Sequence, residues 1–392
     1  MIYLDYSATT PLLPEVKAEM NRIMNLDYGN ASSLHSYGQI AKNELIKART
    51  KIATLIGVAP LSLILTSSGS ESNNTVVRTF ENCPIFVSAI EHPSVLKPAE
   101  TYGSPCVKIP VSQEGIIDLV FLKAKLEETI RKTPKTKILV SVMLANNEVG
   151  TIEPIKKIAA LIKELRTKHR TKIYFHTDAT QAVGKISVDV KTLGVDYLTF
   201  TGHKLGAPVG VAALYSRLGA PLKPLILGGA QESHRRAGTS NVLLACAFAK
   251  ACELAKKNLE KYQKVEILRD YLKEGIKQKI KSQIVITPKN SLPNLLCVSF
   301  PASEGESTQL YLDLAGFEVS TGSACASGDL EPSHVLMAMF HDAEIAHGSV
   351  RFSLGPKTTK KEIDLLLENL PPIIEKIQDL STLNKENPNV RK

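Results

Sequence analysis

The chain has 392 residues, 43% hydrophobic and 22% charged, with a formal net charge of +9 and no tryptophan. Its 23 glycines and 21 prolines fall far below the ~25–30% share that marks low-complexity chains, so collagen, coiled coil and intrinsic disorder are excluded. At ~150 residues per domain the length allows two or three domains with large cores. The longest apolar stretch, VLLACAFAKAC at 242–252, includes Lys250 and is short of the ~20 residues a membrane-spanning helix needs. Asp5 interrupts the apolar run a signal peptide would require, so the cytoplasm is the expected compartment. The six cysteines (83, 106, 246, 252, 297 and 325) contain no CxxC pair, which gives neither a disulfide framework nor a metal site. All but Cys325 read as core residues. The lysines lie on helix-like faces without a nucleic-acid motif, so the positive charge reads as solvated surface and no direct nucleic-acid partner is expected.

In chain order, 61–66 (LSLILT), 85–89 (IFVSA), 138–145 (ILVSVMLA), 173–176 (IYFH), 197–201 (YLTFT) and 211–215 (VAALY) read as strands buried on both faces. Between them, 118–130 and 154–169 repeat apolar residues at helical spacing. This alternation predicts an α/β fold with a mostly parallel sheet covered by helices. Beyond about residue 255 a charged helix at 256–281 leads to a strand near 294–300 and a helix near 306–315. The loop 319–328, a strand at 349–354 and a terminal helix bent at Pro371–Pro372 complete a smaller α+β domain.

Ligands of open parallel sheets bind beyond the carboxyl ends of the strands. Polar residues follow five of the predicted strands: Ser67 to Ser72 after the first, Glu91 and His92 after the second, and Asn146 to Glu148 after the third. Asp178 to Gln181 and His203 with Lys204 follow the next two. Each is weak alone. A serine can simply cap a helix, and a lone His92 or Lys204 can lie on the surface. Their convergence points to pyridoxal chemistry. Lys204 is placed to form a Schiff base with an aldehyde cofactor, and Asp178 to keep a pyridine nitrogen protonated. Gln181 and Asn147 face the ring oxygen and His92 stacks on the ring. Ser68, Gly69, Ser70, Thr201 and His203 hold the phosphate at a helix N-terminus.

The motifs YLDYSATTP (3–11), GNASSLH (29–35), TSSGSESNN (66–74), EHPSV (91–95), NNEVG (146–150), HTDATQAVGK (176–185), TGHKLGAPVG (201–210), RRAGT (235–239), STGSACASGDLEPSHVL (320–336) and RFSLG (351–355) span nearly the whole chain. In this order they resemble a cysteine desulfurase of the NifS/IscS type, within the class V aminotransferases that use pyridoxal 5'-phosphate. The resemblance implies a fold-type I enzyme with a seven-stranded, mostly parallel sheet. Its large domain would span 14–255, and its small domain 1–13 and 256–392, carrying a catalytic cysteine loop at 319–333. It implies L-cysteine as substrate, with Lys204, His92 and Cys325 catalytic and Arg351 and Asn147 at the substrate. Thr239 would reach the partner subunit's cofactor in a homodimer.

Cys325 lies among Ser, Gly and Ala, as an accessible nucleophilic thiol requires. It would take sulfur as a persulfide, and the resemblance implies delivery to an acceptor protein such as an iron–sulfur scaffold, or to tRNA thiolation. A selenocysteine lyase or aminotransferase on this scaffold would not need Cys325, and an adaptor without turnover would not need Lys204. A dinucleotide dehydrogenase would need a G-x-G-x-x-G turn after its first strand. The chain departs from its relatives at Ala31, Ser70, Thr201, Ser233, His234 and His334, where Pro, Thr, Ser, Arg, Gly and Tyr are common.

Overall fold

The structure is a computed structural model that describes residues 1–322 and 332–380. Its strands in chain order are β1 (Ile2–Tyr3), β2 (Leu63–Thr66), β3 (Ile85–Ser88), β4 (Cys106–Ile109), β5 (Ile138–Ser141), β6 (Ile173–Asp178), β7 (Tyr197–Thr201), β8 (Ala212–Ser216), β9 (Ile284–Val285), β10 (Leu295–Ser299), β11 (Phe317–Glu318) and β12 (Ser349–Ser353). The central sheet has seven strands in the order β2-β8-β7-β6-β5-β3-β4, and β8 alone runs antiparallel to its neighbours. β3, β5, β7 and β8 are buried at every position, as expected of strands covered by helices on both faces. A second, antiparallel sheet runs β12-β10-β9, and β1 pairs in parallel with β11.

Among the described residues three buried apolar clusters result, two of them (one with Phe86, Val140 and Phe200, the other with Phe80, Val87 and Tyr197) on the large sheet, and β10 is the seam between the first of these and the cluster of the small sheet. Strand side chains alternate with a period of two: Leu295 and Cys297 enter the core of the large sheet, whereas Leu296 and Val298 enter that of the small sheet with Leu4, Leu272, Phe352 and Leu366. The N-terminal segment thus packs with residues beyond 256. Among the described residues no helix is long and apolar enough to cross a membrane.

Several sequence expectations change in detail. The strand expected at 138–145 ends at Ser141, and that at 61–66 starts at Leu63 after a 3-10 turn. β4 escaped notice because Lys108 breaks its short apolar run at the sheet edge. The helix expected over 256–281 is instead the end of Val242–Lys257 and a separate Lys261–Lys279. The terminal helix runs from Lys360 to Leu380 with Pro371 and Pro372 inside it. Leu366, Leu370 and Ile374 bury one continuous stripe that holds it together across the missing N–H groups. Cys246, Cys252 and Cys297 are core residues, whereas Cys83 and Cys106 are only half-buried.

Candidate active site

The carboxyl ends of β2, β3, β5, β6 and β7 bring the expected residues to one edge of the sheet. β2 ends at Thr66, and the helix Gly69–Thr79 opens three residues later with Ser68 as its N-cap. The Ser68 hydroxyl accepts from the Glu71 backbone N–H at 3.1 Å, while Glu71 accepts from the Ser67 N–H at 2.8 Å. This reciprocal cap is locked by the Arg236–Glu71 ion pair at 2.9 Å. Ser68 therefore does cap the helix, while the exposed Ser70 keeps its hydroxyl on the first turn. A side chain at Gly69 would place its Cβ 2.8 Å from Thr201 Cγ2, so only glycine lets the loop lie this close to the end of β7. Thr201 Oγ1 and Thr180 Oγ1 are buried there without a hydrogen-bond partner.

Asp178 is the last residue of β6 and is buried. Its carboxylate accepts from Asn73 Nδ2 at 2.8 Å and from the Thr180 N–H at 2.9 Å. Asn73 also donates to Ser94 Oγ at 2.9 Å, and Ser94 Oγ lies 2.8 Å from His92 Nδ1. The Ser94 backbone N–H donates to the same Nδ1 at 3.1 Å, which places the proton of the neutral ring on Nε2. Burial lowers the His92 pKa; Asp178 opposes the shift, while Lys204 and His334 reinforce it. Behind His92, Glu91 is fully buried, its pKa pushed well up by desolvation and by the nearby Asp178 and Glu153. His334 Nε2 donates to the Glu91 carbonyl at 2.9 Å.

Lys204 follows β7 in a 3-10 turn, and the N-terminal segment lies across it. Its Nζ donates to the carbonyls of Ser7 and Ala8, the latter at 2.6 Å. Gln181 Nε2 donates to the same Ser7 carbonyl at 2.9 Å. His203 Nδ1 lies 3.2 Å from Thr9 Oγ1, and burial, with the charges of Lys204 and Lys185, pushes its pKa down to about 4. Arg351, on β12, is buried; its guanidinium donates to Asp5 Oδ1 at 2.8 Å and to the Asn147 carbonyl at 2.9 Å, with Nε unpartnered. Thr239 is exposed and lines a cleft of about 240 Å³ with Ser67, Glu232 and Arg236. Cys325 lies outside the described residues. Sequence reasoning gave no role to Asn73, Ser94, Ser7 or Glu91. Asn73 was traceable as the residue one helical turn beyond Gly69, and Ser94 as a hydroxyl two residues after His92.

This donor set fits pyridoxal phosphate: two orphaned hydroxyls beside a helix N-terminus, an oriented carboxylate at a strand end, and an amine at the next strand end that donates to backbone carbonyls. The comparisons with known proteins agree. The family model described as Aminotransferase class-V matches residues 2–366. "Cysteine desulfurase IscS" of Dictyoglomus turgidum is 43% identical over 98% of this chain and 97% of its own. The X-ray structure of a NifS-like protein from Rickettsia africae superposes with a TM-score of 0.86 at 34% identity, covering 97% of this chain and 99% of that one. A structure titled "SspA in complex with cysteine" follows at 0.76 and 29% identity over 92% of this chain and 100% of that one. The chain belongs to the aminotransferase class-V family and, within it, to the cysteine desulfurases, which depend on pyridoxal phosphate.

Proposed function

We propose that the protein converts L-cysteine to L-alanine and passes the sulfur, as a persulfide on Cys325, to an acceptor protein serving iron–sulfur assembly or tRNA thiolation. The observation that carries this reading is the meeting of Lys204, Asp178 and His92 at the carboxyl ends of β7, β6 and β3, with the Asp178–Asn73–Ser94–His92 chain linking two of them. Pyridoxal phosphate, when bound, supplies an aldehyde that captures amines and a ring that stores the electrons of a broken Cα–H bond.

The chain's own residues do the rest. Ser70, Thr201, His203 and the N–H groups of the first turn of helix Gly69–Thr79 hold the phosphate. Asp178 keeps a proton on the ring nitrogen, and Gln181 and Asn147 flank the ring oxygen. Lys204 anchors the cofactor, then takes the proton from the substrate Cα and later returns it. Neutral His92, with its proton on Nε2, settles the protonation of substrate amine and thiol. Arg351 binds the substrate carboxylate through its planar fork. The Cys325 thiolate attacks the substrate sulfur: an S–S bond forms on Cys325, the substrate C–S bond breaks, and its electron pair is protonated on the way to alanine.

We read the site as lying between a large body, 14–255, and a small one made of 1–13 and 256–392, in keeping with the small-sheet core, whose buried residues are Leu4 and residues from 262 to 374. Homodimerisation through the Thr239 face is supported by exposed apolar residues beside it. Val209 and Leu227 are 72% and 82% exposed. Gly210 lines the same cleft as Thr239, and the Ile226 carbonyl accepts from Ala237. Peptide mass spectrometry after L-cysteine treatment tests the reading. The Cys325 peptide gains one sulfur atom in the wild type and not in Lys204→Ala; an unmodified Cys325 in a protein that turns over cysteine contradicts it.

A further inference from the structure

Lys185 is 2% exposed, among the most deeply buried charged residues of the described chain. Gly184 makes its place possible: at φ +78° it turns the chain against Leu205, where a Cβ would come within 2.5 Å of Cδ2. The turn packs Gly184 against Leu205, the residue that follows Lys204, and Lys185 comes next in the chain. Its Nζ donates to Gln181 Oε1 at 2.7 Å, the bond given for it among the described residues. Among the described residues no carboxylate pairs with it, and burial, Lys204 and Arg351 all drive its pKa well down. Burying an amine without an acidic partner is costly, and the bond to Gln181 offsets only part of that cost.

That bond decides which end of the Gln181 amide faces the site. An amide carries an acceptor at one end and donors at the other. Lys185 engages the oxygen, which leaves the nitrogen toward the Ser7 carbonyl, 2.9 Å away, where Lys204 Nζ also donates. We propose that Lys185 is a positioning residue that holds Gln181 with its N–H groups toward the ring oxygen of the cofactor. The proposal rests on the reading that Gln181 faces that oxygen.

The test is a double-mutant cycle on the full chain, made without cofactor and titrated with pyridoxal phosphate. Its readouts are affinity and the visible spectrum of the lysine-bound cofactor, with thermal unfolding as the check on folding. Lys185→Met weakens binding about tenfold, the worth of one hydrogen bond at a charged or polar site, and shifts the visible band. In a Gln181→Leu background it adds nothing further, and Lys185→Gln, which keeps a side-chain donor, restores affinity and spectrum. Equal effects of Lys185→Met in both backgrounds, or none in the wild type, overturn the proposal. If Gln181→Leu itself changes neither readout, the reading of Gln181 fails first, and Lys185 with it. If Lys185→Met does not fold, Lys185→Gln decides: wild-type binding and spectrum support the proposal, and a loss matching Gln181→Leu overturns it.

Discussion

Glu153 is 3% exposed, takes one hydrogen bond from the Ile117 N–H at 3.2 Å, and leaves Oε1 without a partner. Burial raises its pKa to about 8. The folded chain therefore holds a proton that the unfolded chain releases above about 4.5, so stability falls as pH rises between these values. Glu153→Gln removes that dependence, and its advantage over the wild type grows by roughly 1.4 kcal/mol per pH unit across the window; urea unfolding at several pH values reads it. A constant difference from pH 5 to 8 contradicts the assignment. His92 shifts the other way, chiefly through burial, so its ring stays neutral until the pH falls below the ordinary histidine value of 6.5. His334 is one of the charges that hold it down, and His334→Gln moves the acid limb of the pH–rate profile upward. Residue types at the strand ends were legible in the sequence. Their partners were not, because Asn73, Ser94 and Ser7 meet Asp178, His92 and Lys204 only through tertiary packing.

In the loop that opens helix Gly69–Thr79 and in the loop before Thr239, backbone geometry sets a limit. Gly69→Ala drives a methyl group to 2.8 Å from Thr201 Cγ2, so it weakens cofactor binding. Thr201→Ser, which deletes that methyl and keeps the hydroxyl, restores binding in the double variant; failure to rescue would place the defect elsewhere. Glu232, Ser233 and His234 all have left-handed φ, at 50°, 58° and 62°. Such a conformation costs a non-glycine residue about 1–2 kcal/mol. Glu232 holds the loop through Arg49 and the Leu65 N–H, the latter at 3.0 Å. His234→Gly, the residue common in relatives, raises thermal stability by about 1 kcal/mol, seen as a higher Tm. At this scale the sequence patterns located the fully buried strands well. They missed β4 at the edge, where burial on one side leaves no continuous apolar run, and they ran helices together across the break at 258–260, where the charged composition does not change.

Among the described residues the cores of the large and the small sheet are joined at β10, and the N-terminal segment crosses from the small-sheet core to cap Lys204. The strand–helix alternation foretold the large sheet. The family resemblance implied that 1–13 goes with 256–392; the pairing of Ile2 and Tyr3 with β11 and of Asp5 with Ser353 had no sign in the sequence, because pairing between chain ends leaves no local pattern. On the proposed division the site would depend on both bodies, with Arg351 from the small one and Asp178 and Lys204 from the large one. The central claim is that this shared site moves sulfur from L-cysteine to Cys325 under control of Lys204. Assaying sulfide and alanine from purified protein with pyridoxal phosphate, L-cysteine and a thiol reductant, while recording the absorbance, tests it most directly. The wild type is yellow and releases both products in equal amounts, Lys204→Ala loses colour and products, and Cys325→Ala stays yellow but releases no sulfide. A yellow Cys325→Ala that still frees sulfide, or a wild type that cannot bind the cofactor, contradicts the account.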